Sequence, residues 1–333
     1  MVELADLAGL DVSTVSRALR GDARRVSATT ITKVQELARR VGYLPDANAA
    51  SLRRRHSLVV GVLVPDLTDV VLAKLVEAVV RAADAEGYLA LVTSTHGVPG
   101  RRHAAVQSYL SRRVDGVIVA DATLRHSVPD ALASSNTPFV MALRTGGAHP
   151  AVVADDVEGG RLAAEHLVGR GHRAICVVAG PRNVSTAENR LRGFLARCAR
   201  SGVSIGDDAV RHGGFGVEDG YRAMRELLDA GNAPSAVFAV NDYNAVGAAR
   251  AMQERGSLVG RDTALVGYND IALGAFLETP LTTVRVDHGA MGTAVVGLLV
   301  RRIRGEPVES VRIRPELVVR ASSDAPMARL GDP

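Results

Sequence analysis

The feature that most constrains this chain is a regular alternation, from residue 57 to residue 322, of short apolar runs with longer amphipathic segments. The apolar runs, such as 58–64 and 174–179, are followed by segments with the 3.6-residue period of a helix. Strands that are apolar throughout are buried on both faces, and strands joined by helices run parallel. The pattern therefore predicts doubly wound α/β sheets, and two successive series of it predict a body with two lobes.

The predicted elements follow one another closely along the chain. The first series has predicted strands at 58–64, 89–93, 116–120 and 139–143, and predicted helices at 70–86, 101–113 and 127–135. The second series has predicted strands at 151–154, 174–179, 236–239 and 264–267, and predicted helices at 159–169, 187–201 and 244–255. A strand at 282–287, a helix at 290–303 and one strand at 311–320 complete it, so we expect the chain to pass between the lobes more than twice.

The net charge of +4 lies entirely in the first 56 residues, which hold ten lysines and arginines against six acidic residues. The rest of the chain holds thirty residues of each sign. A small basic unit joined to a large neutral one favours contact with a polyanion at one end and a different task at the other.

Composition excludes several classes of protein. The apolar runs of this 333-residue chain are far shorter than the ~20 residues of a membrane span, so no membrane contact is predicted. Acidic residues near the start oppose a secretory signal, and we expect a cytoplasmic protein. Cys176 and Cys198 fit neither a disulfide framework nor a zinc site, and no metal or cofactor is predicted.

Three short helices are predicted in residues 1–45. The first carries the apolar stripe Leu4, Ala5, Leu7 and Ala8 and ends at Gly9. The second begins after the capping residue Asp11 and turns Val15 and Leu19 inward, and the third begins after Ser27 with Ile31, Val34, Leu37, Ala38 and Val41 on one face. Two helices separated by a glycine-containing turn form the helix-turn-helix pattern, whose second helix enters the DNA major groove. A helical bundle with a merely solvated polar face is the alternative.

The outer face of the second helix favours DNA binding, because its side chains are small and hydroxylic with one arginine. Residues 46–55 form a further helix-competent run that is too short to be stable alone. We expect that run to become helical only against a partner.

These motifs, in this order, resemble the DNA-binding head of the LacI/GalR family of bacterial repressors. The resemblance rests on residues 7–9, 12–19, 26–27, 42–45 and 49–53. It implies that Val12, Ser13 and Arg17 read base edges. It also implies that Ser16, Ser27 and Thr30 hold phosphates, with Arg20, Arg24 and Arg25 near them, and that residues 46–54 form a hinge helix whose Leu52 wedges into the minor groove. The implied DNA-binding residues are Val12, Ser13, Thr14, Ser16, Arg17, Arg20, Arg25, Ser27, Thr30, Tyr43, Ala49, Leu52 and Arg53.

The head departs from the family pattern at three places. The family usually begins a few residues earlier, with a threonine that binds a phosphate, so either the first helix is short or Met1 is not the true start. Leu10 and Asp11 replace the usual Val-Ser, and residues 20–25 are longer than usual. A family member with weakened operator binding therefore stays an alternative.

The body resembles the periplasmic-binding-protein architecture that this family shares, and the resemblance covers residues 3–322. Ligands in open α/β sheets bind at the carboxyl ends of strands, where polar residues such as Asn241 and Asp242 recur. The resemblance places the effector-binding side chains at Asp69, Thr186, Arg190, Phe215, Asn241 and Asn269, with Arg190 donating a two-pronged hydrogen bond.

The expected effector is a sugar or a related polyol. The aromatic pair that many members carry after the first strand is replaced by residues 69–72, which makes a purine held between rings less favourable. Leu143 and Asn269 stand where the family often has aspartates, so the acceptors that usually bind sugar hydroxyls are partly replaced.

The residues and the resemblance together predict a ligand-responsive transcriptional regulator, most simply a repressor, that binds a pseudo-palindromic operator as a homodimer. No nucleophile elbow, phosphate loop or His-Glu-x-x-His motif occurs, and His166 and His172 are interpreted as structural, so an enzyme is the weaker alternative. A solute-binding protein for transport is another alternative, but the basic head is evidence against it. The predicted organisation is a head at 1–45, a hinge at 46–56, a two-lobed body at 57–322 and a flexible tail at 323–333.

Overall fold

A computed structural model of the chain describes residues 1–43, 56–124 and 128–325. The chain divides into two compact units, Met1–Ser57 and Leu58–Pro333, each of which is described by itself. The predicted hinge helix, with Ala49, Leu52 and Arg53, lies outside the described residues, as do residues 326–333 of the predicted tail.

The first unit contains the three predicted helices, α1 (Val2–Ala8), α2 (Val12–Leu19) and α3 (Ala28–Arg40). Helix α1 ends at Gly9, whose φ of 66° lies in the left-handed region that glycine adopts most easily. The Asp11 side chain accepts hydrogen bonds from the backbone N–H groups of Ser13 and Thr14 at 2.9 Å and so caps α2. Ser27 caps α3 in the same way through the Thr30 amide at 3.2 Å. The helix-turn-helix prediction is confirmed.

The core of the first unit consists of one side-chain cluster from all three helices, namely Leu4, Ala5, Ala8, Val15, Ala18, Val26, Val34 and Ala38. The prediction was wrong for Leu7 and Val41, whose exposed fractions are 59% and 49%. Leu7 lies at the edge of the buried stripe of α1, and Val41 lies just past the last residue of α3.

The second unit contains two sheets of six strands each. The first has the order β11-β5-β4-β3-β1-β2, and all its neighbouring strands are parallel. Its elements in chain order are β1 (Val59–Val64), α4 (Val70–Ala85), β2 (Leu89–Ser94), α5 (Pro99–Ser111), β3 (Gly116–Val119), α6 (Val128–Ser134), β4 (Phe139–Ala142) and β5 (Ala151–Ala154). Strands β3 and β4 are buried over their whole length, which explains their continuous apolar sequence.

The second sheet has the order β12-β10-β9-β8-β6-β7. The elements that follow β5 are α7 (Asp156–Gly169), β6 (Ile175–Ala179), α8 (Ser185–Arg200), β7 (Val210–His212), α9 (Val217–Asp229), β8 (Ala236–Ala239), α10 (Asp242–Glu254), β9 (Ala264–Asn269), β10 (Thr282–Arg285), α11 (His288–Ile303), β11 (Val311–Ile313) and β12 (Glu316–Val318). The doubly wound two-lobed fold is thus confirmed. Sequence reasoning missed β7, because a strand of three residues gives almost no periodic signal. It also missed α9, although the buried residues of that helix, Ala223, Met224 and Leu227, recur at helical spacing.

The chain passes between the two sheets three times, after β5, after β10 and after β11. The prediction of more than two passages is confirmed, but the single predicted strand at 311–320 is wrong. It is two short strands, of which β11 pairs with β5 in the first sheet and β12 pairs antiparallel with β10 in the second. Arg314 and Pro315 separate them, and proline, which lacks a backbone N–H, interrupts strand pairing.

The helices of the second lobe cross at unusually close range through paired glycines. A Cβ added at Gly160 of α7 would lie 2.0 Å from the Arg190 carbonyl oxygen, and one at Gly193 of α8 would lie 2.0 Å from the Val157 carbonyl oxygen. These helices therefore pack backbone against backbone, and this contact fixes α8, which carries two of the predicted effector residues, Thr186 and Arg190.

The start of the predicted flexible tail needs a correction. Ser323 and Ala325 are buried, with exposed fractions of 0% and 1%. The Ser323 hydroxyl bonds to the Thr282 hydroxyl at 2.7 Å and to His166 Nε2 at 2.8 Å. Ser323 thus completes a buried hydrogen-bond network and Ala325 packs in the hydrophobic core, so residues 323–325 belong to the body.

Candidate effector cleft and DNA-binding face

The six predicted effector residues line one recess between the two lobes of the second unit. Asp69 follows β1 in the first lobe, whereas Thr186, Arg190, Phe215, Asn241 and Asn269 come from the second lobe. Parallel strands of one sheet end at the same edge, and here the edges of both sheets face the cleft. The structure therefore brings together side chains that are 200 residues apart in the sequence.

The cleft has an inner and an outer part. The inner recess has a volume of about 30 Å³, and the outer chamber, which shares Asp69, Leu72, Arg144 and Phe215 with it, has a volume of about 500 Å³. Pockets for small molecules usually measure about 300–1,000 Å³. The outer chamber is large enough for such a ligand, whereas the inner recess by itself is too small for one.

Arg190 lies at the floor of the recess with an exposed fraction of 3%. Its Nε donates to Asp156 Oδ1 and its Nη1 to the Val240 carbonyl oxygen, both at 2.8 Å. The guanidinium carbon lies 3.7 Å from the centre of the Tyr268 ring. Burial opposes the charge of Arg190, but the Asp156 carboxylate outweighs it and raises the pKa of the guanidinium. Among the described residues Nη2 has no acceptor, so the predicted two-pronged donation to an effector has at most Nη2 and the second hydrogen of Nη1 at its disposal.

Asn241 shapes the recess as well as lining it. Its Oδ1 accepts from the Asn244 amide at 2.7 Å and caps α10, and its Nδ2 donates to the Phe215 carbonyl oxygen at 2.9 Å. Asn241 thus holds the loop on which the Phe215 ring is carried into the cleft.

Asn269 and its neighbour have strained backbones. Their φ angles are 105° for Asn269 and 51° for Asp270, in the left-handed region that non-glycine residues rarely adopt. The Asp242 carboxylate holds this turn, because it accepts from the Ile271 amide at 2.8 Å and from the Thr283 hydroxyl at 2.6 Å. Burial raises the pKa of Asp242 to about 7. Backbone strain that is held by buried partners is typical of ligand sites.

Sequence reasoning missed Arg144, which also lines both parts of the cleft. Its guanidinium lies 5.5 Å from the centre of the Phe215 ring, so it joins the first lobe to the second across the cleft. The signal that was available is its position two residues after the end of β4, a buried strand.

At least three hydrogen bonds of the described residues also cross between the lobes, one of them from the Leu124 amide to the Asn183 carbonyl oxygen at 2.9 Å. The Val70 amide donates to the Tyr243 hydroxyl at 3.4 Å, and the Thr145 amide donates to the Ser185 hydroxyl at 2.9 Å. The Val70 bond pairs the start of α4 with the start of α10, and the Thr145 bond lies at the start of α8. Any change in the distance between the lobes must break or rearrange such contacts.

The DNA-binding face predicted in the first unit is exposed on the structure. Val12 and Ser13 are exposed and Ser16 and Arg17 are half-buried on the side of α2 opposite Val15 and Ala18. Arg20, Arg25 and Ser27 are exposed nearby in the chain, and Thr30 is half-buried.

Four of the predicted DNA-binding side chains already have partners within the head, and two of them, the Ser27 and Thr30 hydroxyls, lie 2.8 Å from each other. The Thr14 hydroxyl donates to Asp11 at 2.7 Å, and the Tyr43 ring packs against the head core with its hydroxyl 3.7 Å from Met1 Sδ.

Other candidate sites have structural partners. His172 Nδ1 lies 3.1 Å from the Ser235 hydroxyl, and Cys176 and Cys198 are buried thiols. Within the ranges that the structure describes, no group of three or more histidine, cysteine or carboxylate side chains is placed to hold a metal ion. No helix of the described chain has both the length and the apolar content that a bilayer span requires.

Comparison with known proteins agrees with this geometry. Residues 1–46 match the family described as bacterial regulatory proteins, lacI family, and residues 164–323 match the periplasmic binding protein-like domain. The HTH-type transcriptional repressor PurR of Pasteurella multocida (strain Pm70) is 31% identical over 96% of this chain and 97% of that protein. The ribose operon repressor of Escherichia coli (strain K12) is 31% identical over 97% of this chain and 99% of that protein.

Solved structures resemble the whole chain. The lac repressor dimer bound to operator and the anti-inducer ONPF has a TM-score of 0.87 and 30% identity, over 96% of this chain and 97% of that one. The complex of the transcriptional regulator CelR with cellobiose has a TM-score of 0.76 and 30% identity, over 96% of this chain and 98% of that one.

Proposed function

The chain belongs to the lacI family of bacterial regulatory proteins and is a DNA-binding transcriptional repressor with an effector site, and from that premise we propose how it works. A homodimer places two α2 helices in successive major grooves of a pseudo-palindromic operator. A sugar or a related polyol binds in the cleft between the lobes and changes the operator affinity. The observation that carries this proposal is the convergence of all six predicted effector residues from both lobes on one recess.

Solved relatives support both kinds of binding, to operator DNA and to a sugar. One solved relative is a dimer bound to operator, and another is a complex with cellobiose. The cleft of this chain offers amide and hydroxyl groups from Asn241, Asn269 and Thr186, which suit the hydroxyl groups of a sugar. We assign binding rather than catalysis to the cleft, and we place the protein in the cytoplasm, where the operator is.

Coupling between the sites requires an effector with different affinities for two arrangements of the lobes. The cross-lobe contacts of Tyr243 and Arg144 belong to one such arrangement. A ligand that separates or closes the lobes changes the free energy of that arrangement, and the dimer transmits the change to the heads.

The DNA-binding half of the proposal is tested by two arginine variants of the full chain on a library of random duplexes. We expect Arg17→Ala to lose sequence preference, at a cost of about 1–3 kcal/mol against the selected operator, because Arg17 is assigned to base edges. The matched control Arg25→Ala, assigned to phosphates, should weaken binding to all sequences alike and make the salt dependence shallower. Equal sequence preference in Arg17→Ala and the parent contradicts the assignment of α2 as the recognition helix.

A further inference from the structure

Three arginines in and near the cleft, Arg102, Arg144 and Arg190, differ in how their charges are paired. Arg102 donates from Nε and Nη2 to the two oxygens of Asp121 at 2.6 and 3.0 Å, and Asp121 also accepts from the Thr95 hydroxyl. Arg190 has Asp156. The carboxylate that comes within 4 Å of Arg144 is again Asp121, at 3.9 Å from Nη1, and it is already engaged by Arg102. Arg144 therefore has no carboxylate of its own.

The Arg144 side chain also lacks hydrogen-bond acceptors. Over the described residues its guanidinium makes no hydrogen bond, and Nε is buried without a partner. Its side chain is 12% exposed, and burial lowers the pKa of the guanidinium. A buried cation without an acceptor is unfavourable, and such groups in native structures call for an explanation such as a missing ligand.

The unpartnered guanidinium lies against the space where a ligand would bind. It lines both the 30 Å³ recess and the 500 Å³ chamber, and Asn269, whose Oδ1 is also buried without a partner, lines the same recess. One unsatisfied cationic donor and one unsatisfied amide group thus line one cavity. An oxyanion satisfies the first and a hydroxyl group satisfies the second.

Asp69 is the acidic group that shares this cavity. It forms no ion pair within 4 Å among the described residues, its Oδ1 accepts from the Val71 amide at 2.8 Å, and burial raises the pKa of its carboxyl. Asp69 is engaged as the cap of α4 and does not satisfy the guanidinium.

We propose that the effector is a sugar derivative that carries an oxyanion, a carboxylate or a phosphate, and that Arg144 binds this group while the amides of the second lobe bind the hydroxyls. The inference rests on the proposed function and narrows its ligand from neutral polyols to acidic ones. Arg144 then acts as the residue that selects for charge, and the acidic group replaces the acceptor that the protein itself does not provide.

The test measures, by calorimetry, the binding of two matched sets of sugars to the full chain. Each set has a neutral sugar, its carboxylate and its phosphate: the first is D-glucose, D-gluconate and D-glucose 6-phosphate, and the second is D-ribose, D-ribonate and D-ribose 5-phosphate. Inorganic phosphate is a further probe by thermal unfolding, against sodium chloride at equal ionic strength. In the parent we expect at least one acidic member to bind tenfold or more tightly than its neutral sugar, and the two kinds of acid separate carboxylate from phosphate recognition. Arg144→Gln should abolish the difference, and the exposed control Arg101→Gln should keep it.

Stability provides an independent readout without ligand. Because Arg144 has no partner of its own, we expect Arg144→Gln to have an unfolding midpoint equal to or above that of the parent. Arg102→Gln should lower it, because Asp121 then loses its bidentate partner in the interior. An Arg144→Gln variant that is less stable than the parent shows a structural cation and overturns the proposal.

Two binding outcomes also overturn it. One is a neutral sugar that binds as tightly as its acids, and the other is a panel in which no anion, inorganic phosphate included, binds in a manner that depends on Arg144. A cleft that binds the neutral sugars leaves the repressor function intact, whereas a chain that binds no operator DNA contradicts the proposed function instead.

Discussion

At the scale of single residues, the rule that ligands bind at strand ends pointed to polar residues such as Asn241, and the family resemblance selected the six side chains that line the cleft. Asn241 comes just after β8 and Asn269 is the last residue of β9, whereas Asp69 lies five residues past the end of β1 and was placed by the resemblance alone. Arg144 obeys the same rule but was not predicted, because its role depends on what its neighbours leave unpaired. The engagement of Asp121 by Arg102 is a contact between distant residues that no local pattern encodes.

The buried carboxyl of Asp242 predicts a pH effect on stability. Its pKa is raised to about 7 in the folded state from an ordinary value of 3.8, so the folded chain holds a proton that the unfolded chain has lost over that interval. The contribution of this bound proton to the free energy of unfolding is fully present below pH 4 and is lost as the pH rises through about 7. It amounts to up to ~1.4 kcal/mol for each unit by which folding raises the pKa.

Comparison with Asp242→Asn isolates this contribution from other titrating groups, such as His288, whose pKa burial lowers to about 4 and whose effect has the opposite sign. The amide oxygen of the variant still accepts from Ile271. We expect denaturant unfolding to show the Asn variant gaining stability relative to the parent between pH 5 and pH 8. A difference that is constant over this range would exclude the buried proton.

At the scale of elements, the apolar periodicity located the helices apart from α9, and the longer strands, and the capping residues Asp11 and Ser27 located the starts of α2 and α3. Periodicity is a weak signal for the shortest strands, because β7, β11 and β12 have three residues each. Their pairing is determined by the neighbouring strand of the sheet, not by their own composition.

The glycine contact between α7 and α8 predicts an unusually severe substitution. A methyl group at Gly193 meets the backbone of Val157, so Gly193→Ala forces the two helices apart, at a cost of about 3 kcal/mol or more. Because α8 carries Thr186 and Arg190, effector affinity should fall with stability.

The matched control is Gly297→Ala in the exposed face of α11, where an added Cβ meets nothing within 4 Å. There the better helix propensity of alanine should stabilise the chain by up to ~1 kcal/mol. Thermal unfolding of both variants checks the pair, and similar effects at the two positions would show that the α7–α8 contact is looser than described.

At the scale of the whole molecule, the alternation of strands and helices predicted two lobes, and the local charge surplus predicted a separate head. The sequence did not show how the lobes share the chain between them. That depends on residues 311–318, which look like one strand and divide between the two sheets.

The proposed coupling makes a prediction for the intact dimer that is independent of its sign. If the effector changes operator affinity by some factor, the operator must change effector affinity by the same factor, because both bias one equilibrium between lobe arrangements. Titrations of the effector with and without operator, and of the operator with and without effector, measure the two factors. Unequal factors at equilibrium would mean that binding at one site alters something besides a shared conformational change, such as the degree of assembly.

The three passages between the sheets also bear on synthesis at the ribosome. The head consists of the first residues of the chain and has its own core, so it can fold as soon as it leaves the exit tunnel. Each sheet is completed only by a strand that is synthesised near the end of the chain, β11 for the first sheet and β12 for the second. A nascent or prematurely terminated chain therefore presents a DNA-binding unit before it has any means of responding to its effector, and regulation begins only when translation is nearly complete.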